Sequence, residues 1–296
     1  MADLTSVQRP IASLPIAAKL SIPGFPDWVG IGAGAVWISN RDKNNISRID
    51  PNTNTIAATV PVGRAPCSGL AVGFGSVWVP CCKDNRVDRV DATANRVVAS
   101  IATTIGHGEG GIAVGEGGVW LLADKQGTLL HIDPQQNEIV ATTATAPGSF
   151  VAAVDAGSVW VTSTAGNLVT RVDPQTHKVQ KQIAVGQSPR FIACGEGAIW
   201  ALNQGDGTVS RIDPNTDKVV ATIEVGKPGP GGDIAVGEGH VWVTAIDVPL
   251  TRIDPRTNKV DVQFVGKGGD ALRVGHRSVW ICSFFLEEVW RVPLPL

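Results

Sequence analysis

Three aspartates occupy matching places ahead of three tryptophans that end similar segments. Asp27 and Asp270 each lie ten residues before a tryptophan, and Asp233 lies nine residues before one. Carboxylate oxygens are the ligands that hard cations such as Mg²⁺ and Ca²⁺ prefer. If the segments fold alike, the side chains converge, and the pattern predicts a divalent-cation site. The alternative is that the carboxylates are hydrated or pair with Arg273 and Arg190.

A proton-transfer role needs a group that titrates near neutral pH. Of the five histidines, His107 is the one expected on a functional face, and Glu109 follows it closely. An imidazole there would act as a general base, with the carboxylate as a second proton carrier. The sequence contains no Gly-x-Ser-x-Gly elbow and no phosphate-binding loop. Catalysis, if present, is therefore expected at His107 and Glu109.

Six side chains that lie outside the repeating pattern are expected to form a ligand site. Aromatic rings would supply the walls for an apolar or cyclic ligand, and an arginine would add a charge. The six are Trp28, Phe150, Arg190, Phe191, Phe284 and Phe285. The alternative is that the rings plug the mouth of a channel.

Three of the five cysteines lie close together in one unit. A Gly-Phe-Gly turn centred on Phe74 predicts a hairpin whose symmetry places Cys67 opposite Cys81. Facing cysteines on antiparallel strands can lie within bridging distance. We expect Cys67 to lie close to Cys81 or Cys82, as a disulfide or as a thiol pair. A disulfide would indicate an exported protein.

An internal repeat determines the elements that position these residues. A tryptophan recurs about every 40 residues, at Trp37, Trp78, Trp120, Trp160, Trp200, Trp242 and Trp280. A second marker runs in phase with it, at Arg48, Arg89, His131, Arg171, Arg211, Arg252 and Arg291. Two markers in phase along the chain predict seven copies of one structural unit.

Each copy contains short alternating apolar segments separated by Gly-Glu-Gly, Gly-rich and Asp-Pro turns. This pattern is typical of four short strands without a helix, which is one propeller blade. The sequence therefore predicts an all-β, seven-bladed β-propeller with four antiparallel strands per blade, as a single domain over residues 1–296. The last copy has only three strands. Residues about 16–22 are expected to supply its fourth strand and so to close the ring.

The turns of the expected ring lie on two rims. Those between strands one and two, and between strands three and four, are nearly the same in every copy, and we call that side the invariant rim. The loops between strands two and three and the crossings between blades differ in every copy. We call that side the variable rim. Function is expected there, because sites lie on variable loops held by a rigid scaffold, whereas the repeat tryptophans are expected to pack between sheets.

Composition excludes some classes of protein. The chain has 296 residues, 43% of them apolar, and a formal net charge of −2. Nucleic acid is not an expected partner, because no basic stripe is present, and no apolar run is long enough to span a membrane. The N-terminal segment is a poor signal peptide, so a periplasmic or secreted location is favoured only if a leader has been removed, and the cytoplasm otherwise. A monomer is expected.

Two segments carry a family resemblance. IAVGEGGVW (Ile112–Trp120) and GTVSRIDPNTDKVVATIEVG (Gly207–Gly226) resemble the repeats of bacterial YVTN-type propellers and of the related virginiamycin B lyase-like propellers. The resemblance covers essentially the whole chain and implies the same fold. It also implies a possible activity, because those lyases open a cyclic depsipeptide by elimination, with Mg²⁺ and with His and Glu residues in the central funnel. Their Pro-His-Gly pattern reads Pro26-Asp27, Pro66-Cys67 and Pro189-Arg190 here, so the catalytic residues do not carry over.

Two functions of different classes follow from these observations. The first is a binding module that holds a small apolar or cyclic ligand, or a protein partner, at the funnel on the variable rim. The second is a lyase or lactone hydrolase assisted by Mg²⁺ or Ca²⁺. In the second, a cation at the three aspartates polarises a carbonyl, and His107 or Glu109 moves the proton. The lack of a histidine set favours binding.

Overall fold

The computed structural model describes residues 4–67, 69–106, 109–245 and 247–296. Among these residues the helical segments are three single 3₁₀ turns, Thr5–Val7, Ile11–Ser13 and Arg41–Lys43. No helix in the described part of the chain has the length and apolarity needed to cross a membrane. Almost all the regular structure is therefore β-strand.

The strands form seven sheets. In chain order they are β1 (Gln8–Pro10), β2 (Ala18–Ser21), β3 (Pro26–Gly32), β4 (Ala35–Asn40), β5 (Asn45–Asp50), β6 (Thr55–Pro61), β7 (Ala71–Gly73), β8 (Ser76–Cys81), β9 (Arg86–Asp91), β10 (Arg96–Ala102), β11 (Ile112–Gly115), β12 (Gly118–Leu122), β13 (Thr128–Asp133), β14 (Glu138–Ala144), β15 (Ser149–Asp155), β16 (Ser158–Ser163), β17 (Leu168–Val172), β18 (Val179–Ala184), β19 (Pro189–Gly195), β20 (Ala198–Asn203), β21 (Thr208–Asp213), β22 (Lys218–Glu224), β23 (Asp233–Gly237), β24 (His240–Ala245), β25 (Val248–Asp254), β26 (Lys259–Val265), β27 (Leu272–Gly275), β28 (Ser278–Ser283) and β29 (Glu288–Pro293).

Consecutive groups of four strands, from β3 to β26, make blades 1 to 6, and β27, β28, β29 and β2 make blade 7. The first strands of successive blades contact one another around the whole ring, so they line a central channel. Six of the seven second strands, β16 among them, are buried along their full length because both faces of the sheet pack against neighbouring blades. The predicted seven-bladed propeller is confirmed.

The two repeat markers have the packing roles expected of them. All seven repeat tryptophans are at most 1% exposed. The indole Nε1 of Trp200 donates to the backbone oxygen of Gly195 at 3.1 Å, and the other six make the same bond in their own blades. The guanidinium of Arg211 donates to the carbonyl of Pro255 and the side chain of Asn258 in the next blade's turn. The markers recur because each blade needs the same internal and inter-blade bonds.

The N-terminal segment closes the ring as predicted. Strand β2 pairs antiparallel with β29 and completes blade 7, and Leu20 and Ile22 are buried against the sheet. The structure adds a feature that the repeat did not indicate. Strand β1 pairs in parallel with β26 and gives blade 6 a fifth, outer strand. A short strand here covers a sheet edge that would otherwise be open.

The disulfide joins Cys67 to Cys82, so the pairing of Cys67 with Cys81 is wrong and the alternative with Cys82 is confirmed. Cys81 is free and buried. Its register partner is Pro66, and its sulfur faces the buried Asp88 at 3.6 Å, inside the blade. Because neighbouring residues of a strand point to opposite faces, the next cysteine meets Cys67 instead. Burial, followed by the Asp88 carboxylate, raises the pKa of the Cys81 thiol to about 12.

Candidate functional site

A cavity of about 610 Å³ opens at the mouth of the channel on the variable rim. The first strands of blades 1 and 5, the crossings that lead into blades 6 and 7, and the loop between β28 and β29 supply its walls. The lining includes Asp27, Trp28, Glu109, Arg190, Phe191, Asp247, Lys267, Asp270, Phe284 and Phe285. Eight of the eleven side chains proposed from the sequence for catalysis, ligand binding or cation binding thus line one cavity.

Backbone irregularity at the start of two inner strands positions two of these residues. The pairing of β3 with β4 slips between Pro26 and Trp28, so Asp27 falls outside the regular ladder. The pairing of β19 with β20 slips in the same place, between Pro189 and Phe191. A bulge of this kind re-aims a side chain at the end of a strand. The side chains of Asp27 and Arg190, each between a proline and an aromatic residue, are therefore turned towards the channel mouth.

Asp27 and Asp270 form a hydrogen-bonded carboxyl pair across the seam between blades 1 and 7. Burial, followed by the charges of Asp270 and Glu109, raises the pKa of Asp27 to about 8. Burial also raises the pKa of Asp270 to about 7, with Asp233 and Glu109 adding to the effect. Two carboxylates this close cannot both ionise easily, so the pair retains a proton near neutral pH.

The third aspartate is engaged differently. Asp233 is 2% exposed and accepts hydrogen bonds from the Arg273 guanidinium and from the backbone N–H of Leu272 and of Ile234. Arg273 also lies over the ring of Trp28, at 4.6 Å from its centroid. Burial raises the pKa of Asp233, while Arg273 acts in the opposite direction.

These bonds bear on the expected cation site. Asp233 faces a guanidinium, and the other two carboxyls face each other through a shared proton. In the described part of the chain, no group of three or more His, Cys, Asp or Glu side chains has an arrangement that suits a metal ion. As arranged here, Asp27, Asp233 and Asp270 do not fit a common divalent cation, and cation binding stays a prediction.

An ion pair spans the cavity between blades 3 and 5. The Arg190 guanidinium donates to the carboxylate of Glu109. It also lies over Phe150 and Phe191, at 4.5 and 5.3 Å from the ring centroids. Glu109 is thus placed at the cavity as predicted, but its carboxylate is held by a cation. His107, its proposed partner in proton transfer, lies outside the described residues.

The aromatic residues form two groups. Trp28 and Phe191 are nearly buried and lie 6.1 Å apart at the inner end of the cavity. Phe284 stacks on Phe25 at 4.7 Å near the opening, and Phe285 is 86% exposed beside it. Phe150 faces a neighbouring, shallower cavity of about 570 Å³, with Arg190 between the two. A ligand would therefore meet rings at both ends of the main cavity.

Sequence reasoning missed two charged residues of the lining. Lys267 lies in the crossing from blade 6 to blade 7, and Asp247 lies in the loop between β24 and β25. Both segments belong to the variable rim, so the position of each was available from the repeat. Neither interrupts an otherwise regular pattern, which is why neither was singled out.

Comparisons with known proteins agree on the fold. Residues 67–230 match the family model described as glutamine cyclotransferase. A solved streptogramin B lyase is similar, with 18% identity, a TM-score of 0.79 and coverage of 92% of this chain and 95% of that one. Virginiamycin B lyase from Staphylococcus aureus is 15% identical, with a TM-score of 0.79 and coverage of 94% and 99%. Hydrazine synthase from Kuenenia stuttgartiensis is 13% identical, with a TM-score of 0.76 and coverage of 94% and 97%.

At these identities the likeness shows a shared architecture. No curated protein sequence matches the chain. The resemblance to virginiamycin B lyase-like propellers is confirmed at the level of structure. The resemblance to YVTN-type propellers stays a prediction.

Proposed function

This chain belongs to the glutamine cyclotransferase family, and from that premise we propose that the mouth of its channel binds a small ligand with an apolar or cyclic body and an amino group. The carboxyl pair of Asp27 and Asp270 in an aromatic-walled cavity carries the proposal. A volume of about 610 Å³ lies within the range of small-molecule sites. A ligand here would be held without the histidine set that the sequence lacks.

The two ends of such a ligand have separate partners in the cavity. Trp28, Phe191 and Phe284 offer ring surface to the apolar body. The carboxyl pair carries one negative charge while it shares a proton and a second once that proton leaves, and an ammonium group supplies the opposite charge. Glu109 is less available for this, because Arg190 holds it. The amino group is therefore assigned to Asp27 and Asp270.

Matched probes test the assignment. Phenethylamine and cyclohexylamine should bind roughly 10- to 100-fold more tightly than phenethyl alcohol and cyclohexanol, because a charge-assisted bond replaces a neutral one. Calorimetry at about pH 7 in two buffers of different ionisation enthalpy should also show proton release as the amine binds. Asp270→Asn should remove most of the preference for amines, while Asp247→Asn on the exposed edge of the cavity should keep it. Equal affinity for amines and alcohols would overturn the proposal.

A second candidate is catalysis of ring closure or ring opening, favoured by the shared proton of the carboxyl pair. A carboxylate beside a protonated carboxyl can accept one proton and donate another in the same turnover. In the cyclisation of an N-terminal glutamine, the α-amine would attack the side-chain carboxamide. One aspartate would take the proton from the amine, the C–N bond to the leaving nitrogen would break, and the other aspartate would protonate that nitrogen to give ammonia.

Turnover assays separate the two candidates. An N-terminal glutaminyl peptide is monitored by ammonia release and a cyclic depsipeptide by ring opening, after chelation and again after addition of Mg²⁺ or Ca²⁺. If the enzyme proposal holds, Asp27→Asn/Asp270→Asn lowers turnover by roughly 100-fold or more. Turnover only with added cation, together with bound metal measured on reloaded protein, would support the cation-assisted lyase or lactone hydrolase. Equal turnover by wild type and double variant would leave binding as the function of the cavity.

A further inference from the structure

One seam between blades has two histidines where four other seams share the same arginine arrangement. At the invariant rim, Arg89, Arg171, Arg211 and Arg291 each donate to the turn of the following blade. Each guanidinium reaches a proline carbonyl and the side-chain oxygen of an asparagine or aspartate. Between blades 3 and 4 two imidazoles take these places: Nδ1 of His131 and Nε2 of His177 lie 2.8 Å apart. A permanent cation is thus replaced by a pair of titratable rings.

A third position has changed with them. Three of the arginines also donate from Nε to a serine two residues before the repeat tryptophan of their own blade, at Ser76, Ser158 and Ser278. The equivalent residue of blade 3 is Gly118. A Cβ atom there would lie 2.1 Å from Nε2 of His131, so the imidazole occupies the space of the missing side chain. Gly118, His131 and His177 therefore replace, together, the serine, arginine and asparagine found at the matching positions of the seam between blades 2 and 3.

The site of His131 favours the neutral ring. The imidazole stacks on Trp120 with a centroid distance of 4.2 Å and an interplanar angle of 14°. Its Nε2 atom is buried and has no hydrogen-bond partner among the residues that the structure describes. A protonated ring would carry N–H groups on both nitrogens, and neither His177 as a donor nor the enclosed Nε2 position would receive them. Burial, followed by His177, accordingly lowers the pKa of His131.

The carboxylates near the pair are engaged elsewhere. Asp133 and Asp173 accept backbone N–H bonds within their own turns, and Glu116 accepts from the backbone of Gly157 across the same seam. Glu138 and Lys178 are the other charged side chains that flank the two rings in sequence. Within the described residues neither imidazole forms an ion pair. Only Asp133 opposes the lowering of the His131 pKa.

We propose that the seam between blades 3 and 4 is an acid-labile latch. At neutral pH one imidazole donates to the other and holds the two blades together. When both rings are protonated, two N–H donors with positive charges face each other, the bond is lost, and the invariant rim opens at this seam. The four seams joined by arginine keep their bonds, because a guanidinium stays protonated at neutral and acidic pH. Acid thus weakens the seam between blades 3 and 4 on the invariant rim, which is the face opposite the cavity.

The chain supplies its own control variants. Gly118→Ser/His131→Arg/His177→Asn rebuilds at this seam the arrangement of blade 2. A converse variant, Ser158→Gly/Arg171→His/Asp217→His, adds a second histidine pair at the seam between blades 4 and 5. Between about pH 8 and pH 5, wild type should lose roughly 2–4 °C more in Tm than the rebuilt variant, because only wild type has imidazoles at this seam. The comparison between proteins at each pH cancels the titration of the groups they share.

Hydrogen exchange locates the effect. The Nε1 proton of Trp120 should exchange faster at about pH 5 than at about pH 8, relative to that of Trp200, after correction for the intrinsic pH dependence of exchange. In the converse variant an acid-dependent increase should appear at Trp160 in addition to that at Trp120. If the rebuilt protein does not fold, His177→Asn alone should still flatten the pH dependence. Equal pH dependence in wild type and rebuilt or single variant, with unchanged relative exchange at Trp120, would overturn the proposal.

Discussion

Replacing Asp27 by asparagine is expected to stabilise the protein at about pH 8, by roughly 2 kcal/mol or more, and to change its stability little at about pH 4. The folded pKa of Asp27, about 8, lies well above that of an unfolded aspartate. Between these values the folded state holds a proton that the unfolded state has lost, so stability falls as pH rises. Below both values the contribution vanishes. Asparagine keeps the shape and a hydrogen-bond donor for Asp270, but it has no charge to bury.

Thermal unfolding across this pH range measures the effect. A gain of about 2 kcal/mol corresponds to roughly 3 °C in a chain of this length. Asp247→Asn is the matched control, because it removes an exposed carboxylate from the same cavity and leaves the buried pair intact. A variant no more stable than wild type at about pH 8 would show that the pair ionises like ordinary surface carboxylates. The binding proposal would then lose its shared proton.

Removing residues 1–22 is expected to lower Tm by roughly 10 °C or more. The deletion takes away the outer strand of blade 7 together with Leu20 and Ile22, which are buried. Each such side chain contributes about 1.5–3 kcal/mol by its burial. The deletion also exposes the edge of β29, which favours aggregation. Size-exclusion chromatography should therefore show oligomers.

A shorter deletion distinguishes the role of β2, which completes blade 7, from that of β1, which covers the edge of blade 6. Removing residues 1–13 takes β1 and Ile11 from blade 6 but leaves β2 in blade 7. Its effect should be smaller, because β1 contributes three exposed residues. Addition of a synthetic peptide of residues 4–22 should restore the Tm of the protein that lacks residues 1–22. Two truncated proteins of unchanged stability would contradict the role of the N-terminal strand in holding the ring together.

The fold was predictable because its stabilising contacts repeat. Every blade needs a tryptophan at the same place between sheets and a basic residue at the same turn, so both recur in the sequence. The convergence of Asp27 and Asp270 was predictable for the same reason. They occupy the same position in blades that become neighbours only when the ring closes.

What lies outside the repeat was not predictable in the same way. The protonation of the carboxyl pair depends on burial by non-repeating loop residues. The pairing of Glu109 with Arg190 depends on how the crossing into blade 3 folds and on the bulge at the start of β19. In the described part of the chain, strand β1 has no counterpart in any other blade. The cysteine pairing failed for a local reason, since adjacent Cys81 and Cys82 point to different sides of one strand end.

The seam joined by Asp27 and Asp270 has a consequence for the order of folding. Nearly the whole chain separates these two residues, and the strands that complete blade 7 come from opposite ends of it. Contacts so distant in sequence carry a high cost in loop entropy and form slowly. On the ribosome, blades 1 to 6 can assemble in turn while β2 stays unpaired until β29 has been synthesised. The cavity is thus completed last, and a nascent or prematurely terminated chain has blades but no binding site.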